Sequence, residues 1–217
     1  MGSHALITAY KNRELDENPD LSSDKHPLIL VVGREPNNVG KFVKATGTYN
    51  FDHAPKCAFW NESYAVVGKT CGMSGQALKQ MCRDRNTSPI AFTDISPVLI
   101  RNCDPEKKRK RKEITHDQID SHIKDIVSLN DELGRTAVVL LTGHRYGSLS
   151  KQARETFGYG ATQLELALKF RKIPHISVPF MFGNNQSNIL RAIQNDKSVS
   201  STIVSTVQSL ENVRKAA

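Results

Sequence analysis

Four stretches of this sequence hold residue types that can do chemistry if the fold brings them together. Glu35 stands between Arg34 and Pro36, directly after the apolar run Leu28-Ile29-Leu30-Val31-Val32 and Gly33, with Asn37 two residues further on. A carboxylate fixed at such a point by a proline can polarise a water or stabilise a developing cation; the plainer alternative is a turn glutamate facing solvent. Asp94 follows the apolar run Pro89–Thr93 and so belongs at the floor of a pocket, or caps the loop towards Pro97 as an Asx turn. His144 lies in Thr142-Gly143-His144-Arg145-Tyr146-Gly147, placed either to touch a ligand or to act as a cap or a solvated side chain. Phe180-Met181-Phe182, with Asn184 and Asn185 just beyond, suits stacking on a base or wedging into a duplex, and suits equally well an extension of the core. His175, inside an apolar run, reads as a satisfied core histidine.

Charge supplies a fifth feature. The 217 residues include 30 Lys and Arg against 22 Asp and Glu, a formal charge of +8. Six of those charges are the unbroken run Lys107-Lys108-Arg109-Lys110-Arg111-Lys112, and taking these six from +8 leaves +2 for the rest. Such a run repels itself and belongs on a solvated loop. It fits a phosphate clamp, because each Lys or Arg that neutralises a phosphate releases a counterion; a solubilising loop or an address tag is the alternative.

Other chemistries find less support. Cys57, Cys71, Cys82 and Cys103 are 14, 11 and 21 positions apart, without a C-x-x-C pair or a His pair to complete a zinc pattern. Reduced, partly buried thiols are expected, with an iron–sulfur cluster as the weaker option. Between Gly33 and Gly40-Lys41 lie six residues rather than the four of a phosphate loop, and Phe42 follows. Gly68-Lys69-Thr70 has the right ending, but Ser63 stands where the leading glycine belongs. A nucleotide-hydrolysing or dinucleotide enzyme is therefore not expected, and neither metal nor cofactor is required.

The elements that must position these residues can be read from the same pattern. Leu28–Val32, Pro89–Thr93, Thr136–Leu141 and Ile173–Val178 are short apolar runs of the kind buried on both faces of a parallel sheet. Helical stretches lie between them. The clearest opens with the capping box Thr115-His116-Asp117-Gln118, continues through Ile119, Ile123, Ile126 and Leu133, and stops at Gly134. Others are Gly75–Arg83, Ser150–Phe157, Ala161–Phe170 and Asn188–Val213, the last broken near Asp196. The expected fold class is α/β, a three-layer α-β-α sandwich around a four-stranded, mainly parallel sheet. Residues 1–26 are expected to be a flexible polar arm that starts with a tag remnant, and 27–217 a single domain. No run of about 18 apolar residues exists, and the opening Met1-Gly2-Ser3-His4 has no apolar leader, so the expected compartment is the cytoplasm; a monomer is expected separately. In an open parallel sheet ligands sit at the carboxyl ends of the strands. Glu35, Asp94, His144 and Phe180 all follow strands there.

Taken in order, these strand-end motifs resemble the uracil-DNA glycosylase superfamily, nearest its mismatch-specific uracil and thymine branch. Val31-Val32-Gly33-Arg34-Glu35-Pro36-Asn37 is similar to the family's first strand and its Gly-x-(Asp/Asn)-Pro. Phe51-Asp52-His53-Ala54-Pro55 with Phe59-Trp60 resembles the branch's Phe-x-His-Pro and Phe-Trp, with one residue more. Phe92-Thr93-Asp94-Ile95 stands where relatives carry Thr and then Asn or Lys, and Val139-Leu140-Leu141-Thr142-Gly143 resembles the third strand and its glycine. Pro179 to Gly183 takes the place of Pro-Asn-Pro-Ser-Gly.

The resemblance implies that Glu35, with Asn37, is catalytic and positions a water. It implies that Phe51 stacks on a flipped base, with Asp94, His144 and Phe180 around that base. Pro179 to Asn185 would enter the minor groove, so that Asn184 and Asn185 join Lys107–Lys112 on DNA. Two departures shape the expected substrate. Phe180-Met181-Phe182 replaces the family's His-Pro-Ser or Asn-Pro-Ser. Asp94 replaces an Asn that can both donate and accept, whereas an ionised Asp only accepts and so suits the N4 amine of a cytosine-type base. Excision of plain cytosine would endanger the host genome, which favours a base modified at C5. The expected activity is thus a DNA glycosylase that leaves an abasic site, in DNA repair or, for a bulky phage modification, in antiviral defence. The alternatives are a uracil/thymine mismatch glycosylase, a non-catalytic DNA-binding relative, and a flavodoxin-like small-molecule enzyme such as a nucleoside hydrolase or transferase.

Overall fold

Strand β1 (Leu28–Gly33) is buried at every position, and its side chains divide by the strand's two-residue alternation. Ile29 and Val31 point into one apolar layer, Leu28, Leu30 and Val32 into the other. A strand with no polar face suits the middle of a covered sheet, and that is its place. In the computed structural model, which describes residues 28–34, 58–81, 89–96, 115–133, 136–144, 151–181 and 183–216, the sheet order is β2-β1-β3-β4. The other strands are β2 (Ile90–Asp94), β3 (Thr136–Thr142) and β4 (His175–Val178), and all three pairings are parallel.

Helices α1 (Ala58–Thr70) and α2 (Gly75–Met81) connect β1 to β2 on one face. Helix α3 (His116–Leu133) connects β2 to β3 and α4 (Lys151–Phe170) connects β3 to β4, both on the opposite face. After a short turn at Gly183–Asn185, α5 (Gln186–Asn195) and α6 (Lys197–Ala216) return to the first face. One core layer gathers Trp60, Tyr64, Val67, Leu78, Ile189, Ile193, Val199 and Ile203 against Ile29, Val31, Ile90 and Phe92. The other sets Ile119, Ile123, Ile126, Phe157, Ala161 and Leu164 against Leu30, Val32, Val139 and Leu141. The three-layer sandwich expected from the sequence is therefore the fold, with a sheet that is wholly rather than mainly parallel.

The helix ends show how local chemistry sets the layers. At the start of α3, Thr115 N donates to Gln118 Oε1 at 3.1 Å and Gln118 N to Thr115 Oγ1 at 3.3 Å, the reciprocal pair of a capping box. Asp196 ends α5 in an extended conformation, and its Oδ1 accepts from Val199 N at 3.0 Å, which starts α6. The expected break at Asp196 is there. Helix α4 differs from expectation, since one helix runs through Gly158 and Gly160 where two were read. The reason is packing. A Cβ at Gly160 would stand 2.5 Å from Ile95 Cγ2 and 2.9 Å from Ile119 Cγ2, so this glycine lets α4 approach β2 and α3 rather than ending a helix. Helix α1 has no counterpart among the helices expected from the sequence.

The connections set a switch point. From β1 the chain goes one way, to β2, and from β3 it goes the other way, to β4. The adjacent carboxyl ends of β1 and β3 are thus the switch point of the sheet, where open α/β folds bind ligands.

Candidate functional site

Asp94 is the last residue of β2 and pairs across the sheet with Gly33, the last residue of β1. Its side chain leans over that glycine. A Cβ built on Gly33 would lie 2.1 Å from Asp94 Oδ1 and 3.6 Å from Phe59 Cζ, so the missing side chain is the space that the carboxylate occupies. Asp94 is only 7 % exposed, and the chain leaving it is tied down by Ile95 N donating to Gly33 O and Ser96 N donating to Arg34 O, both at 2.9 Å. The side chain is buried at the strand end, as both a pocket floor and a loop cap would have it.

Aromatic rings extend from the carboxylate along the α1 layer. Trp60 stacks on Phe92 with centroids 4.7 Å apart and planes at 7°, and Phe59 meets Phe92 edge-on at 6.1 Å. Phe59 in turn stacks on Phe180 at 5.5 Å, and the Arg34 guanidinium lies 4.4 Å from the centre of the Phe180 ring. Such pairs add about 0.5–1.5 kcal/mol each beyond the area they bury, and they hold flat faces in a fixed orientation. Phe180 is kept in register from two sides. Asn185 Nδ2 donates to Phe180 O at 3.0 Å, and Gly143, at φ +72°, leaves room that a Cβ 2.8 Å from the Phe180 ring would take.

His144 lies at the switch point itself. It is 1 % exposed, and its Nε2 donates to Val32 O at 3.1 Å, beside the Thr142 hydroxyl that donates to the same carbonyl at 3.2 Å. The alternative of a solvated turn histidine does not hold, because the ring is folded back onto the end of β1. The buried Thr93 Oγ1, one residue before Asp94, has no hydrogen-bond partner among the described residues.

The structure thus brings Asp94, His144 and Phe180 to one edge, with Gly33 and Arg34 between them. Asn184 is exposed on the turn before α5, while the side-chain amide of Asn185 is engaged by Phe180. Met181 is fully buried in the core, as the packing alternative for its stretch required. Glu35, Asn37, Phe51 and Lys107, Lys108, Arg109, Lys110, Arg111 and Lys112 lie outside the described residues, as do Phe182 and three of the cysteines. The fourth, Cys71, is a half-buried free thiol, and burial first, then the nearby Glu211, push it up to about 11. His175 Nδ1 donates to Ile173 O at 2.8 Å, half-buried on the edge strand, in keeping with a satisfied histidine. No cluster of three metal-ligating side chains occurs among the described residues.

Sequence reasoning missed two contributors. Phe59 stands out in the sequence only within Phe59-Trp60, although Trp60, Tyr64 and Val67 already show the spacing of a buried helical stripe. His122 was not singled out. It follows Ile119 by three positions on the apolar stripe of α3, and its Nε2 reaches Asp94 O at 2.7 Å. A polar residue on such a stripe is the signal that marks it.

No protein-family model matches the chain, and no curated protein does. No helix of the described residues is long and apolar enough to cross a membrane.

Proposed function

We propose that this chain is a DNA N-glycosylase that excises a cytosine-type base, favoured in a modified form, and leaves an abasic site. The observation that carries the reading is the buried Asp94 carboxylate seated over Gly33, next to the Phe59–Phe180 stack, at the carboxyl edge of a parallel sheet. A flat ligand with a hydrogen-bond-donating edge suits that arrangement. Its ring lies against aromatic faces while its exocyclic amine donates to the carboxylate. Glu35, two residues after Gly33, is in sequence reach of the same edge.

In this reading the nucleotide is turned out of the duplex, at a cost of a few kcal/mol, and Phe51 stacks on the base. Asp94 accepts from the N4 amine. As the C1′–N1 bond lengthens, the electron pair leaves with the base and the sugar becomes an oxocarbenium ion. Glu35 stabilises that positive charge and orients the water that attacks C1′. The hydroxyl stays on the sugar and the water's other proton goes to the departing base. Lys107–Lys112 holds phosphates. Substrate in repair and substrate in antiviral defence differ here only in what the base carries at C5.

The test is a set of otherwise identical DNAs holding uracil, cytosine, 5-hydroxymethylcytosine or a glycosylated form, each scored for alkali-labile abasic sites. Release of a cytosine-type base is expected, reduced about 100-fold or more in Glu35→Gln, the range seen when one charge-stabilising group is lost. In Asp94→Asn the ratio of rates is expected to move towards uracil by about 10–100-fold, the worth of one well-made base contact. Release of uracil alone by the wild type would reject the part assigned to Asp94. DNA binding without release of any base, unaltered by Glu35→Gln, would identify a non-catalytic DNA-binding protein instead.

A further inference from the structure

Asp94 is gripped from both layers of the sandwich. On the α1 side its carboxylate fills the space over Gly33; on the opposite side a side chain from α3 takes hold of its backbone. That side chain is His122, 1 % exposed, whose Nε2 lies 2.7 Å from Asp94 O. A carbonyl accepts only, so the proton of this bond is on Nε2. We infer that His122 is a positioning residue that sets the angle at which Asp94 meets the base; the inference rests on the base-excision reading above.

The argument is geometric. The two backbone bonds beyond Asp94, from Ile95 N and Ser96 N, tie the exit of β2 to β1 but leave the Asp94 carbonyl to be fixed from elsewhere. His122 fixes it to a helix that cannot drift. Helix α3 is pinned by Ile119, Ile123 and Ile126 in the core and by the Thr115–Gln118 capping box at its start. It is also held to α4 by Tyr159, whose hydroxyl donates to Asp120 at 2.9 Å, and by the close approach at Gly160. Rotating the Asp94 peptide swings its side chain off Gly33, and a reading group displaced by about 1 Å can cost about 100-fold in rate. The role is one of orientation. His122 touches neither base nor sugar.

Glutamine and asparagine separate the role from mere bulk. The glutamine amide nitrogen reaches about where the ring's Nε2 stands, whereas the asparagine amide ends where Nδ1 stands and falls short of the carbonyl. The experiment compares wild type, His122→Gln, His122→Asn and His122→Leu on the four DNAs, with kcat and KM measured separately and the thermal midpoint recorded for each. Expected is a ratio of cytosine-type to uracil rates that stays within about threefold of wild type in His122→Gln and falls about tenfold or more in the other two. The loss is in kcat, with KM little changed. If all three folded variants keep the wild-type ratio, the positioning role is overturned while the glycosylase reading stands. A wild type that releases no base from any DNA overturns both. Should His122→Asn and His122→Leu fail to fold, His122→Phe, which keeps the ring's bulk without its donor, takes their place: a lost ratio there with a retained one in His122→Gln supports the inference, and equal ratios in the two overturn it.

Discussion

Replacing Gly33 by alanine would place a methyl group 2.1 Å from Asp94 Oδ1, well inside contact distance. The carboxylate must then leave its seat or β1 and β2 must part, and overpacking of this kind costs about 1–3 kcal/mol. Gly33→Ala is therefore expected to lower stability in urea by that amount and to lose base release at the same time. A variant that lost only stability would show that Asp94 does not act from this seat. Cys71 gives a second residue-scale prediction. Its thiol is raised from 9.0 to about 11 in the folded chain, mainly by burial, so the protonated form is favoured in the native state. The contribution to stability is whole below about pH 9, where both states hold the proton. It is lost as pH rises from 9 to 11, because the unfolded chain ionises first. Alkylation by iodoacetamide at pH 8 is expected to be slow in the native protein and to become rapid on unfolding; equal rates would contradict the burial of this thiol.

At the scale of elements, the two glycines of α4 make opposite predictions from one helix. Gly158 has nothing within 4 Å of its missing Cβ, so Gly158→Ala should stabilise by about 0.5–1 kcal/mol through helix preference alone. Gly160 faces Ile95 and Ile119 at 2.5 and 2.9 Å, so Gly160→Ala should destabilise by about 1–3 kcal/mol despite the same preference. Thermal midpoints moving in opposite directions would confirm the pair. These glycines also show where a sequence stops being legible. The four strands, the capping box at Thr115 and the break at Asp196 could be read because their causes are local: apolar runs, a reciprocal side-chain pair, one capping carboxylate. Helix α4 was split in two because a glycine that permits a close approach looks the same as one that ends a helix. Helix α1 escaped notice because Asn61, Ser63, Val66, Val67 and Gly68 give it little local preference. It is held instead by Trp60 and Tyr64 packing on Phe92, a residue some thirty positions away. The site follows the same division. Asp94 and Phe180 were legible as strand ends, whereas the Gly33 seat and the grip of His122 exist only through parallel pairing and layer packing.

Most of the molecule's net charge is concentrated in one run of the chain. Of its +8, six charges belong to Lys107–Lys112, and this run ends three residues before Thr115, where the helix that holds Asp94 is capped. If the run grips DNA, it accounts for most of the electrostatic part of binding, and that part has a signature no structural loop imitates. Each neutralised phosphate steepens the fall of log K with log salt by about 0.9 on a duplex, so six such contacts would contribute about 5. Replacing all six residues by glutamine leaves a net charge of +2. The slope measured between 50 and 200 mM salt is then expected to fall by roughly 2–5, with most of the affinity lost at the low-salt end. A shallower reduction of one contact or less would mean that the run solubilises or addresses the chain and that phosphates are met elsewhere, for which Arg34 beside Phe180 is one candidate. Absence of DNA affinity in the wild type at low salt would be more damaging. It would turn the same buried carboxylate and aromatic faces towards a free nucleoside or another flat small molecule, because the rest of the chain carries a net charge of only +2.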